Sequence, residues 1–378
     1  MSQRLPHFAT ISYAFRHRFT SEGIEGVFRW ILEEAARAGY LSAEVVFVDG
    51  THIKANANLK KQMKKAIPAA AKRYQEQLHE EIEADRAAHG KKPLKKDDGD
   101  DGFSAPGKQK MVTESTTDPE SGVFHKGEHK KCFAYEAHTV CDRRGYILET
   151  EITPGNVHDS AALDTVFDER LKTHYPEVQV VIADAGYKTP WICKQIFDSG
   201  KIPLLPYKRP MTKKGSLPWY AYVYDEYYDC ILCPHNQVLS YATTNREGYK
   251  ECKNKGCICR DCPELEKCTQ NRQYTKTVAC HIWQEYLERA EDIRHSPVGK
   301  ATYALRSQTI ERVFADAREK HAMRYTPYRG LAAVIAWVNL RFAAMNLKKL
   351  ALHKWRPLLH FTFSYYKKPL CAEAKWLL

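Results

Sequence analysis

Two apolar runs in this chain each end in an acid: "VVFVD" delivers Asp49 and "VVIAD" delivers Asp184. A carboxylate at the end of a buried strand is costly to desolvate unless a partner compensates it. If the two strands are neighbours in one sheet, the side chains converge, and two like charges a few ångströms apart need a cation to remain ionised. A divalent metal is the simplest such cation. A third acid, Glu311, stands in "TIERVFADAREKH" at the edge of a helical face made by Ile310, Val313, Phe314 and Ala317. From there it is placed to reach a metal held by the two aspartates. Oxygen donors of this kind suit magnesium or manganese, and a pair of such ions activates water and stabilises the leaving oxygen in phosphodiester cleavage. The competing reading is that an Asp after a strand is a turn-former. Asp142, Asp159 and Asp316, in hydrophilic contexts, are read as turn, cap or solvated residues, with Asp159 as much a cap as a ligand.

Basic residues accompany these acids. Lys54 closely follows Asp49, and Arg312, Arg318, Lys320, His321 and Arg324 surround Glu311, where they are placed to contact phosphates flanking a scissile bond. Their alternative role is a solvated helix face. Lysine and arginine total 58 against 46 acids, a net charge of +12, which suits a polyanionic partner such as nucleic acid.

Twelve cysteines are unevenly spread: eight fall between Cys230 and Cys280. "CILC" at Cys230 and Cys233 and "CRDC" at Cys259 and Cys262 form two CxxC pairs, the pattern by which two knuckles enclose one tetrahedral zinc. Cys252, Cys257 or Cys268 are each able to replace a member of the four, and a metal-free, reduced cluster is the alternative. Cys132, Cys141, Cys193 and Cys371 are read as buried small hydrophobes.

The elements that must position these groups follow from periodicity. "GIEGVFRWILEEAARAGY" places Ile24, Val27, Phe28, Ile31 and Leu32 on one helical face. The first acidic strand follows, then a lysine- and glutamate-rich helical stretch from Leu59 to His89, then "GKKPLKKDDGDDGFSAPGKQK", with the composition of a mobile linker. "KCFAYEAHTVCD" and "GYILETEITPG" form an antiparallel hairpin joined at "DRRG". A helix over residues 160–174, the second acidic strand, a helix through "PWICKQIFDSG" and the short strand "IPLLPYK" complete a mixed sheet with helices packed on it. The segment after the cysteines is mostly helical, broken at Pro327 and Gly330. No run of eighteen apolar residues and no leader pattern is present, so a cytoplasmic protein with no membrane association is expected.

"VDGTHIKANAN", "GEHKKCFAYEAHTVCD", "ITPGNVHDS", "VIADAGY" and "IERVFADAREKHAMRYTPYRGL", in this order, resemble the DDE transposases of bacterial insertion sequences, in the branch with an "IKANAN" block after the first acid. The resemblance covers roughly residues 5 to 350. It implies an α/β fold, an RNase H-like mixed sheet flanked by helices with a cysteine-rich, zinc-ribbon-like insertion. It implies that Asp49, Asp184 and Glu311 match an acidic triad binding two Mg²⁺ (or Mn²⁺) ions, beside a structural Zn²⁺. The implied activity is cleavage of DNA at terminal inverted repeats and joining of the freed 3′ hydroxyl to target DNA, by a homodimer on DNA. The expected division is a remnant of an N-terminal helical region over 1–42, the first part of the catalytic core over 43–209 with a charged insertion at 60–110, the cysteine-rich insertion over 210–280, the helices bearing the Glu over 281–350, and a tail over 351–378. Arg318 stands where similar transposases often have Lys. The helical region usual upstream of "PHFATISYAFRHRF" is not found, so the chain is read as N-terminally short. The alternatives are a truncated or repurposed DNA-binding relic without activity and a nuclease of similar fold that cuts without joining.

Overall fold

Val45–Lys54 begins with four consecutive β-branched or aromatic residues, and it forms the central strand β1 of a mixed sheet. The computed structural model describes residues 7–68, 74–94, 109–126, 130–207 and 212–355. Helices α1 (Phe8–His17) and α2 (Ser21–Arg37) precede β1, and β2 (Gln62–Pro68), α3 (Gln75–Ala88), β3 (Gln109–Ser115) and β4 (Gly122–Lys126) follow it. Next come β5 (Lys130–Asp142) and β6 (Ile147–Pro154), the expected hairpin: Asp142 accepts from the Tyr146 N–H at 2.7 Å, and Gly145 takes a positive φ of 75° in the turn. Helix α4 (Asp159–Asp164) runs on through a π-helical stretch and α5 (Lys172–His174) into β7 (Val180–Ile182), α6 (Pro190–Asp198) and β8 (Ile202–Leu204).

In the sheet β1 is antiparallel to β5 on one side and parallel to β7 on the other, with β8 parallel beyond β7. β4 and β6 both pair with β5. A second, five-stranded sheet follows in the cysteine-rich region: β9 (Val223–Asp225), β10 (Cys230–Leu232), β11 (Val238–Thr244), β12 (Tyr249–Lys253) and β13 (Thr277–His281), with short helices α7 (Gly256–Cys259) and α8 (Leu265–Cys268) between β12 and β13. The chain then returns to the first sheet through α9 (Gln284–His295), α10 (Pro297–Ala304), α11 (Ile310–Lys320) and α12 (Leu331–Trp355).

The core forms where these helices cover the sheet. α11 buries Ile310, Val313, Phe314 and Ala317, the face its periodicity marks. α12 is long and apolar enough to cross a membrane, yet Val334, Val338, Phe342 and Ala343 on it are buried in the core. Its start is pinned by carboxylates: Asp118 accepts from the Gly330 N–H at 3.0 Å and from the Tyr135 hydroxyl at 2.8 Å, and Glu120 accepts from the Leu331 N–H at 2.8 Å.

Two expectations change, and one strand was not anticipated. Residues 62–68 are not helical but pair as β2 with β3, because "QMKKAIP" finds its partner across the intervening segment, a pairing that local propensity does not encode. On α2, Val27 is exposed and Ala35 completes the buried face instead, one turn beyond Ile31. β4 had no sequence signal of its own and is held by β5. Most of the linker, at 95–108, and the tail at 356–378 with Cys371 lie outside the described residues.

Candidate functional site

Parallel pairing sets Phe47 opposite Ile182, and two further residues along each chain stand Asp49 and Asp184. The two acids therefore come level just past the end of this parallel ladder: Asp184 stands two residues beyond β7, whereas Asp49 lies midway along β1, which does not end at the acid as its sequence suggests but runs on to Lys54 against β5. A cation lies between them. Arg306, in a 3-10 turn (Leu305–Gln308) leading into α11, places Nη2 2.6 Å from Asp49 Oδ2 and Nη1 3.4 Å from Asp184 Oδ1. Arg306 is itself buried, 9% exposed, so its charge is committed to this pair. Burial pushes the Asp49 carboxyl up to about 6, against the pull of Arg306 and of the Gly50 N–H, which donates to Oδ1 at 2.9 Å; the nearby charges of Asp184 and Asp159 push the same way as burial.

A second polar cluster adjoins the pair across Gly50. On β5, Glu136 and His138 stand opposite His52 and Gly50, and a Cβ at Gly50 would collide with Glu136 Oε1. His52 Nε2 lies 3.2 Å from Glu136 Oε2, and His138 bonds the Tyr187 hydroxyl at 3.0 Å and the Thr153 hydroxyl at 2.9 Å. Burial, with Asp159 and Asp49 adding to it, pushes Glu136 up to about 8, and burial lowers His138 to about 4. Both are therefore uncharged near neutrality. Asp159 joins them: one ligand atom each from Glu136, His138 and Asp159 lies within 4.8 Å of the others. The cap of α4 is His158, which accepts from the Ser160 N–H at 3.2 Å, so Asp159 is left to face the site, pressed against Gly186 with its carboxyl raised by burial and by Asp184.

Glu311 is exposed on α11, and among the described residues its carboxyl is not gathered with those of Asp49 and Asp184 within 4.8 Å. Its helix is nonetheless held over them. Arg318, seven residues on and hence on the same face as Glu311, donates to the Thr51 hydroxyl from Nε at 3.1 Å and Nη2 at 2.6 Å. Thr51 is buried and shares one face of β1 with Asp49.

The other basic candidates divide. Lys54 has an exposed side chain and a tied backbone: its N–H donates to the Arg324 carbonyl at 3.1 Å, and its carbonyl accepts from the Thr326 N–H at 3.0 Å. Asn56 and Arg329 extend this docking, Asn56 Nδ2 donating to the Pro327 carbonyl and Arg329 Nε to the Asn56 carbonyl, both at 2.9 Å. The "IKANAN" and "RYTPYRG" blocks thus belong together as one joint. Lys320 pairs with Asp316 at 2.5 Å and Arg324 pairs with Glu319, while Arg312 stays exposed. The His321 carbonyl accepts from Arg341, and burial, then Lys348, keeps the His321 ring below its ordinary value. Arg312 and Lys320 line a groove of about 510 Å³ with Arg143, Arg144, Lys348 and Lys349, in which, among the described residues, Asp316 is the one acid.

Residues 232–351 match the family model of the transposase DDE domain. That segment contains Arg306, Glu311 and Arg318 but neither Asp49 nor Asp184. The match supports a DDE transposase, and with it nuclease or transposase chemistry on DNA, and the mixed sheet with flanking helices fits an RNase H-like transposase fold. A comparison with curated proteins found no match.

The cysteines of the second sheet and its short helices fall into two groups. Cys230 is buried beside Cys252 and Cys280, whereas Cys233, Cys259, Cys262 and Cys268 line a separate small cavity. Cys257 is exposed. Arg306, Glu136 and His138 are the site residues that sequence reasoning missed, whereas Asp159 stood there as a cap or a ligand. For Arg306 the available signal was a lone cation one helical turn before the helix of Glu311, a position that periodicity does not mark. Glu136 and His138, alternating in an otherwise apolar strand, carried the same signature as Asp49.

Proposed function

We propose that this protein is a DNA transposase that cleaves and joins phosphodiester bonds at the ends of a mobile element, with Asp49, Asp184 and Glu311 as its metal-holding acids and a homodimer as the working form. The observation that supports this reading is the pair of aspartates standing level just past the parallel ladder of β1 and β7, bridged by buried Arg306 and overlaid by a helix from the matched segment. The donor set fits a hard divalent cation: it is all carboxylate, and burial, with Asp184 and Asp159 adding to it, holds Asp49 up to about 6 even with Arg306 beside it, so a further cation would favour its ionised form. Magnesium or manganese ions held by these acids would supply an activated water and neutralise charge on the leaving oxygen.

The chain's own residues have distinct parts. Arg306 holds the two aspartates together, Arg318 fastens α11 to β1 through Thr51, and the basic groove beside Arg312 takes the DNA backbone. Glu311, free on its helix, is the ligand that closes on the site when DNA and metal are present.

A supercoiled plasmid carrying the DNA that flanks this reading frame tests the proposal. It should be nicked with Mg²⁺ or Mn²⁺, and Asp184→Ala should abolish nicking while leaving the gel shift intact. Equal nicking by the variant sinks the assignment. DNA binding by the wild-type protein without cleavage in either metal replaces it with the inactive relic.

A further inference from the structure

We infer that Cys233, Cys259, Cys262 and Cys268 form a four-sulfur zinc site and that Cys230, the first cysteine of the first CxxC pair, is not part of it. The inference stands independently of the transposase reading.

Cys230 opens β10 and stays in its ladder near Cys252 and Cys280, and it does not line the cavity that Cys233 lines. Cys230 is paired in that ladder with Asp225 and is 8% exposed; its electrostatic neighbours are Asp225 and Asp229, and it contributes to the surroundings of Cys252 with Cys280 and Lys250. Cys233 lies beyond the end of the strand, in a turn. Its carbonyl accepts from the Asn236 N–H at 2.8 Å, its N–H donates to the Gln237 carbonyl at 3.0 Å, and the Gln237 N–H points at its sulfur at 3.4 Å. A backbone N–H aimed at a cysteine sulfur stabilises the thiolate a metal requires.

The second pair behaves differently because it is not extended. Cys259 ends α7, and the Cys262 N–H donates to the Cys259 carbonyl at 3.2 Å, a turn that sets residues three apart on one side. The next turns carry Cys268, whose sulfur lies 3.2 Å from the Tyr222 hydroxyl. The four cysteines line a cavity of about 40 Å³, and Cys233, Cys262 and Cys268 are near enough to Cys259 to act on it electrostatically.

The chemistry and the energetics agree. Four thiolates select a tetrahedral, soft-ligand ion, with Zn–S bonds of about 2.3 Å. Among the described residues no three of these sulfurs lie within 4.8 Å of one another, so binding has to draw them inward. The apolar core of this unit is small, built on Tyr222, Ile231, Leu239, Cys252 and Val278, with Cys233 and Cys268 packed against it. A metal staple is the usual answer for so small a core.

The test is zinc content of the full chain purified without chelators, measured by mass spectrometry, together with cobalt substitution. Wild type should hold about one zinc per chain. Cys268→Ser and Cys259→Ser should each reduce this at least tenfold, while Cys230→Ser leaves it unchanged. Retained zinc in Cys268→Ser with loss in Cys230→Ser overturns the assignment in favour of the two CxxC pairs, and no zinc in the wild type overturns it altogether. Cobalt titration guards against a variant that does not fold: the wild-type sulfur-to-cobalt absorption should have four-thiolate intensity, and a spectrum with fewer sulfurs refutes the site.

Discussion

Replacing Arg306 by Met retains most of the buried stem and removes the charge that bridges Asp49 and Asp184. In the wild type the Asp49 carboxyl is already raised from 3.8 to about 6, a cost of roughly 3 kcal/mol to the ionised native state. Without the guanidinium, two carboxylates share the site, and stripping one partner from a buried ion pair costs about 3–5 kcal/mol. The pH dependence follows from the sign of the shift. Because the folded value of Asp49 lies above its unfolded value, folding takes up a proton between about pH 4 and 6; stability falls as pH rises through that window and levels off above it. In Arg306→Met the folded value moves higher, so the falling window extends upward past neutrality. Urea unfolding should therefore give a deficit of about 3–5 kcal/mol near pH 8 that shrinks to less than about half near pH 5, where Asp49 is protonated in both proteins. Millimolar Mg²⁺ near pH 8 should stabilise the variant more than the wild type, since the ion takes the place the guanidinium left. An equal deficit at both pH values would refute the idea that Arg306 acts through these two charges, leaving only its packing.

Gly50→Ala pushes a methyl group into Glu136 Oε1 from the residue beside Asp49, so unfolding free energy should fall by about 1–3 kcal/mol; a denaturation midpoint equal to wild type would show that Glu136 swings away freely. In the basic groove, Arg143, Arg312 and Lys348 are exposed. Their joint replacement by Ala should reduce the slope of log affinity for duplex DNA against log salt by about 2–3, and an unchanged slope in fluorescence anisotropy would place the DNA elsewhere.

Much of this architecture is local and so was readable in the sequence. The apolar runs ending in Asp49 and Asp184, the hairpin at "DRRG" and the buried face of α11 all rest on periods of two or 3.6 residues that the chain carries within itself. The concentration of cysteines in one segment was equally plain. What periodicity does not encode is which groups meet. Arg306 reaches Asp184 from 122 residues away, Arg318 reaches Thr51 from 267 residues away, and β2 becomes a strand only because β3 returns to pair with it. Glu311 stays exposed although its helix face was legible, because the angle of α11 over the sheet is set by many packed side chains. Cys230 and Cys233 look like one ligand pair in the sequence and separate in space, because the first remains in a strand and the second lies in a turn. Sequence spacing determined the elements and the types of group they carry; tertiary packing decided which cation neutralises which acid and which cysteines line one cavity, since such contacts depend on directions that only the assembled sheets impose.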